Sequence, residues 1–278
     1  QGEGNALGCL GNDYSSLGDY LKAIEYHQQS LKIAREIKDF QGEGNALGNL
    51  GIDYSRMGDY PKAIDYYEQS LKIVREIKDL KGEGKSLDNL GVAYFHLGDY
   101  PKAIDYHQQS LKIALEIKDP RGEGAALVNL GNTYLSLGDY PKAIEYYEQS
   151  LKIVREIKDP GGEAYALGNL GIAYSSLGDL KAIEYHQQSL KILREIQDYQ
   201  GEGIALGNLG ITYNSLGDYP KAIHYYEQSL KIAREIKDPR GEGKTLGNLG
   251  LTYHSLGDYP QAIEYNQQHL KIAREIRD

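Results

Sequence analysis

One phrase returns along the chain at a fixed interval: Gly82-Glu83-Gly84, Gly122-Glu123-Gly124 and Gly162-Glu163-Ala164 follow one another every 40 residues. A period of this size marks stacked supersecondary units, each too small to bury its own apolar face. Function on such a chain belongs to a long surface rather than a cleft. The copies open at Gln1, Gln41, Lys81, Arg121, Gly161, Gln200 and Arg240, so the sequence predicts one array over 1-278 with repeats 1-40, 41-80, 81-120, 121-160, 161-199, 200-239 and 240-278.

Each repeat reads as a helical hairpin. Asp119-Pro120, Asp159-Pro160 and Asp238-Pro239 set a side-chain acceptor ahead of a proline, the pattern of a helix start. In the third repeat that helix ends at Leu97-Gly98, where glycine can take the left-handed conformation. Asp99 then caps a second helix, with Pro101 in its first turn, running to Ile117-Lys118. The expected fold class is all-α, an α-α superhelix of seven hairpins without a sheet.

Two stripes run along the first helix of the second repeat. Leu47, Leu50, Gly51, Tyr54 and Met57 share the core face, while Asn45, Asn49, Ile52 and Arg56 share another. Gly51, Gly91, Gly131 and Gly171 cost a helix about 1 kcal/mol each relative to alanine, so close approach of the partner helix is the expected compensation. The second helix is expected to bury Ala63, Tyr67, Leu71, Val74 and Ile77. Its Lys72–Glu76 and Arg75–Asp79 pairs stand at i, i+4 in the less favourable order and read as solubilising.

The aromatic residues are lopsided, with 25 Tyr, 2 Phe and no Trp, and they occupy fixed columns such as Tyr54, Tyr60, Tyr66 and Tyr67. Core placement explains those columns without a base-stacking ligand. Second helices alternate His27-Gln28-Gln29, Tyr67-Glu68-Gln69, His107-Gln108-Gln109 and Tyr147-Glu148-Gln149, which indicates duplication of two-repeat blocks. Histidines spaced two repeats apart are a relic of that copying, not a metal site, and no His/Cys cluster has ligand spacing.

A net charge of −9 argues against the basic footprint of a nucleic-acid binder. No apolar run approaches the roughly 18 residues of a membrane helix. A lone Cys9 excludes an internal disulfide and permits a reducing compartment. The expected setting is cytoplasmic, and the start at Gln1 reads as an excised or prepared piece of a longer protein.

Leu90-Gly91, Tyr94, Gly98-Asp99-Tyr100, Ala103, Tyr106 and Leu111 have the spacing of tetratricopeptide repeats, and every repeat carries a close version. With Asn-Leu-Gly in the first helix and the Ile-Ala/Val-Arg-Glu-Ile tail, the chain resembles the longer repeats of LGN/Pins-type adaptors, kinesin light chains and bacterial signalling arrays. That resemblance implies a right-handed superhelix that holds extended peptides in a groove lined by first helices. The groove positions it implies are Asn49, Asn89, Asn129, Asn169, Asn208 and Asn248, with Cys9 breaking the ladder; Asn12, Asn132 and the basic residues Lys85 and Lys244 belong to the same set. Arg56, His96, Lys85 and Asp88, where otherwise similar repeats differ, are the expected selectivity positions. An amide can serve a peptide backbone or bridge neighbouring helices, and both readings stay open.

Some relatives clamp a C-terminal carboxylate with two asparagines and three basic residues. Asn12, Asn49 and Lys85 match three places, but Gly8 and Asn89 stand where basic residues are required; around Lys244 only Asn208 is kept, against Gly168, Ile172 and Asn248. Gly84-Lys85-Ser86 and Gly243-Lys244-Thr245 imitate the end of a phosphate loop, yet Asp79 and Asp238 replace its first glycine. Gly42-Glu43-Gly44 with Gly48 misses the dinucleotide spacing. Carboxylates such as Glu43 and Glu76 recur in nearly every repeat, which speaks for scaffold and against catalysis. The expected function is therefore a protein-interaction scaffold for a peptide, without cofactor, nucleic acid or membrane; the alternative is a structural or regulatory array that packs on another domain or self-associates weakly end to end. The fifth repeat lacks one residue at Gly178-Asp179-Leu180-Lys181 and should carry a local defect there. The chain's last second helix, ending at Asp278, should expose a face that Asn266 and His269 make more polar.

Overall fold

In the computed structural model, residues 2–276 are described, and among them there are fourteen helices and no strand. The first helix of each repeat is α1 (Gly2–Ser16), α3 (Phe40–Arg56), α5 (Leu80–His96), α7 (Pro120–Ser136), α9 (Pro160–Ser176), α11 (Tyr199–Ser215) or α13 (Pro239–Leu256). The second is α2 (Tyr20–Glu36), α4 (Tyr60–Glu76), α6 (Tyr100–Glu116), α8 (Tyr140–Glu156), α10 (Lys181–Glu195), α12 (Tyr219–Glu235) or α14 (Tyr259–Glu275). The chain falls into two compact bodies, Gln1–Asp139 and Tyr140–Asp278. Within each body a helix packs on its neighbour in sequence, and first helices of adjacent repeats also touch, as α1 does α3 and α9 does α11. Asp278 lies outside the described residues, whereas on α14 Ile263, Asn266 and Leu270 are exposed and His269 is half-buried.

Aspartates start the helices as the sequence implies. Asp99 Oδ1 accepts from Lys102 N at 3.3 Å, and Asp79 Oδ1 from Gly82 N at 2.9 Å. The Gly82 amide and the Gln41 side chain hold the Asp79 carboxyl below its ordinary range. First helices end on left-handed glycines such as Gly58 and Gly98, at φ 81° and 78°. Second helices end on left-handed residues that are not glycine: Lys38, Lys78, Lys118, Lys158, Gln197 and Lys237 have φ between 53° and 58°. The chain closes these turns with backbone bonds such as Asp79 N to Val74 O at 2.8 Å, which offset a strain that glycine would avoid.

The core stripe is as expected at Leu47, Leu50, Ala63, Tyr67, Leu71 and Val74, all buried, with Tyr54 and Ile77 half-buried. Met57 is a correction. It follows the last turn of α3, just before Gly58 reverses the chain, and its side chain is 46% exposed instead of joining the core. Arg75 is a second correction: it pairs not with Asp79 but across the seam with Glu83, Nε to Oε1 at 2.7 Å. Asp79 is occupied as the α5 cap. The same clasp recurs as Arg35–Glu43, Arg155–Glu163, Arg194–Glu202 and Arg234–Glu242 at 2.7–2.8 Å.

The helix glycines do permit close approach. A Cβ built on Gly51 would lie 2.4 Å from the Tyr67 ring, and one on Gly91 2.5 Å from His107. Gly11, Gly171 and Gly210 face His27, His186 and Tyr226 in the same way. The alternating His and Tyr thus fill one recurring socket, and all are buried. Tyrosines of the two helices stack inside six of the hairpins, for example Tyr54 on Tyr66 at 5.3 Å with Lys62 Nζ 5.1 Å above Tyr54.

In the fifth repeat the missing residue is absorbed at once. α10 starts later, Leu180 offers no side-chain cap, and Ala182 N and Ile183 N bond three residues back, to Asp179 O and Leu180 O at 3.1 Å. The equivalent Ala103 N bonds four residues back, to Asp99 O. The first turn has tightened, and Leu180 stands exposed where other repeats have tyrosine.

Candidate functional site

Opposite the Leu47 and Leu50 stripe, the first helices carry an exposed column that changes from repeat to repeat: Asn5, Asn45, Lys85, Ala125, Tyr165, Ile204 and Lys244. One turn further lies the asparagine ladder. In the N-terminal body these faces enclose a depression of 590 Å³ across α1, α3 and α5. Gly4, Gly8, Gly44 and Gly48 contribute backbone to it, and Asn12, Asn49, Asn89 and Lys85 contribute the amides and the cation. A second depression of 360 Å³ takes in Lys85 and Asp88 with Ala125. Glycine lining leaves room beside the amides, so the surface fits main chain with small side chains better than a bulky rigid ligand.

Several ladder amides are already engaged between repeats. Asn49 Nδ2 donates to Asn12 Oδ1 at 3.2 Å, joining α3 to α1. Asn129 Nδ2 donates to both Asp88 oxygens at 3.0 and 3.1 Å, and the same carboxylate meets His107 Nδ1 at 2.8 Å. Asp88 therefore ties α5, α6 and α7 together while it lines the second depression. Arg56 Nη1 donates to the Ser15 carbonyl and hydroxyl at 3.2 and 2.8 Å, and His96 stacks on Tyr60 at 4.9 Å. These two expected groove residues act at the hairpin ends. Asn132 is half-buried on α7 and has a partner of its own.

Sequence reasoning missed a buried set next to this groove. Asp53 is fully buried on α3, where it accepts from Ser15 Oγ at 2.6 Å and pairs with His27 Nδ1 at 2.7 Å. The available signal was its column, which holds Asp only at Asp13 and Asp53 and Ala93, Thr133, Ala173, Thr212 and Thr252 in the later repeats. A recurrent latch was missed too: Ser30, Ser70, Ser110, Ser189 and Ser229 each donate to a first-helix carbonyl at 2.8–3.0 Å.

The C-terminal body has a different groove. Between α9 and α11 lies a depression of 310 Å³ lined by Tyr165, Ile172, Ile204, Asn169 and Asn208. A smaller one of 60 Å³ includes Asn208, Lys244 and Asn248. Asn169 Nδ2 and His186 Nδ1 are buried and have no hydrogen-bond partner among the described residues. Burial alone pushes His186 down to about 4, because its imidazolium would lose hydration without gaining an anion. Among the described residues, no group of three or more His, Cys, Asp or Glu could hold a metal, and no helix is long and apolar enough to cross a membrane.

The family profile described as Tetratricopeptide repeat matches residues 3–76, 83–156, 122–195, 162–235 and 201–275. A search of curated proteins gave no match. Among solved structures, the apo form of RapI is similar at a TM-score of 0.78 with 16% identity over 99% of both chains. A Rap conjugation gene regulator in complex with the Phr* peptide is similar at 0.68 and 15% identity, over 96% of this chain and 72% of that one. A signal-transduction ATPase with a tetratricopeptide repeat sensor, from Pyrococcus horikoshii, is similar at 0.76 and 22% identity over 98% of this chain, which spans 42% of its length.

Proposed function

Because the chain belongs to the tetratricopeptide repeat family, we propose that it is a protein-interaction scaffold that holds an extended peptide segment along its first helices. The observation that carries this reading is the 590 Å³ depression, with glycine backbone, asparagine amides and one lysine facing the same space. Such a surface offers donors and acceptors to main chain without demanding a sequence. The Phr* peptide in the complex of one structurally similar protein is in keeping with it. Lys85 is the one cationic side chain there, so binding should weaken only modestly with salt. Display selection of random decapeptides on the full chain tests the proposal. Changing Asn12 and Asn89 together to alanine should weaken a selected peptide about tenfold, as expected for two lost hydrogen bonds of about 0.5–1.5 kcal/mol each, with helicity unchanged. A selected peptide that ignored this change and responded to the second helices would overturn the groove.

A further inference from the structure

The variable exposed column is polar or small in most repeats, as at Asn5, Asn45, Lys85, Ala125 and Lys244, but it is Tyr165 and Ile204 in two successive ones. Both are large, 57% and 58% exposed, and both line the 310 Å³ depression between α9 and α11. Two of the polar side chains around them are spent: Asp198 caps α11 through Gly201 N at 2.9 Å, and Ser189 donates to Ala164 O at 2.8 Å. Gln200 and Asn208 also line the depression, with Gln200 exposed and Asn208 half-buried. Asn169 differs from both: it is only 9% exposed, lines the same depression, and its Nδ2 has no acceptor among the described residues. A buried donor left unpaired is costly, and a ligand carbonyl would relieve that cost.

We propose that this depression is an anchor subsite for one aliphatic residue of an extended peptide, whose side chain seats between Tyr165 and Ile204 while an adjacent main-chain carbonyl accepts from Asn169 Nδ2. The proposal rests on the peptide-scaffold reading and adds to it where selectivity lies. The N-terminal depression, with its amides and lysine, suits polar chain; this one, with two exposed apolar side chains and one orphan donor, selects an apolar residue flanked by an amide. The occupant is a segment of a protein partner, because a free hydrocarbon would leave Asn169 unpaired, an anionic group would find no cation among the lining side chains, and the carboxylate that could meet a cation, Asp198, is engaged as the α11 cap.

The test uses the full chain, isotope-labelled at asparagine, titrated with N-acetyl-leucine methylamide and, separately, N-acetyl-serine methylamide. The Asn169 side-chain amide signal should move saturably with the leucine compound at a concentration about tenfold lower than with serine, as expected for partial burial of one aliphatic side chain. The double change Tyr165→Ser and Ile204→Ser, at exposed positions that leave the fold intact, should abolish the preference without altering far-UV circular dichroism. An unmoved Asn169 signal, or equal titration by the two compounds, would overturn the proposal. Its failure is separable from that of the scaffold reading. Display-selected peptides that depend on Asn12 and Asn89 but ignore the Tyr165/Ile204 change would leave the groove and remove the anchor. A display that selects no peptide would remove the groove, and the leucine titration would still decide the subsite.

Discussion

Two glycines one turn apart on α3 should respond to the same substitution with opposite sign. A Cβ added at Gly51 would sit 2.4 and 2.5 Å from Tyr67 Cε1 and Cδ1, more than 1 Å inside the roughly 3.5–4.0 Å of ordinary carbon contact. Tyr67 is buried and cannot swing aside, so helices α3 and α4 must part. Overpacking of this kind costs about 1–3 kcal/mol, from which alanine's helix propensity returns up to about 1 kcal/mol. Gly51→Ala should therefore destabilise, by up to about 2 kcal/mol. At Gly48 the nearest atom is Ser70 Oγ at 3.6 Å, an ordinary contact, so Gly48→Ala should stabilise by about 0.5–1 kcal/mol. Urea unfolding followed by far-UV circular dichroism reads the difference in midpoint, and hydrogen exchange in α3 and α4 localises it, since a repeat array need not unfold as one unit. If Gly51→Ala were neutral or stabilising, the close approach would not be what compensates for glycine in these helices.

Three further outcomes follow from the same geometry. His186 is neutral in the fold at about 4 against an ordinary 6.5, so protons bind the unfolded chain first; its contribution is steady above pH 6.5 and stability falls as pH drops from there toward 4, by about 3 kcal/mol in total. His186→Tyr, the residue of alternate repeats, should flatten that part of the stability–pH profile, and an unchanged slope would contradict the assignment. Leu115 is exposed where other second helices carry the clasp arginine, so Leu115→Arg should reach Glu123 and add about 0.2–1 kcal/mol in low salt; a gain that persisted in molar salt would show that the effect is not ionic. Amides of Ile183 and Glu184 should exchange faster than those of Ile104 and Asp105, because the first turn of α10 is held by bonds three residues back, where in α6 Ala103 N bonds four residues back to Asp99 O; equal protection would refute this.

Local rules made much of this fold legible. Asp caps, Pro in first turns and the Leu47, Leu50, Tyr67 pattern act within a few residues, so the helices and their core faces follow from short windows. The glycine sockets were readable because glycine inside a helix demands a reason. Interactions across a seam were not. Arg75 has Asp79 four residues away in sequence, yet the carboxylate it reaches is Glu83, because Asp79 caps α5 and α5 folds back toward the arginine. Met57 fits the helical period but falls where the helix stops, and periodicity does not know where the turn takes the chain. At the candidate site, the exposed face could be read from the column of asparagines, whereas the pairing of Asn129 with Asp88 and the isolation of Asn169 depend on which neighbour stands one repeat away.

The tightened first turn of α10 has a consequence for how such a chain can be edited. A missing layer in a stack ordinarily displaces everything above it, as a dislocation does in a crystal. Here the error is confined to the turn where it arises: the Tyr174–Tyr185 stack that spans it measures 5.2 Å, and Tyr213–Tyr225 in the next repeat 5.4 Å, against 5.3 Å for Tyr14–Tyr26. Hairpin turns therefore act as word breaks, so that a misspelling in one word leaves the next readable, and the recognition surface can be rewritten repeat by repeat without re-solving the rest of the fold.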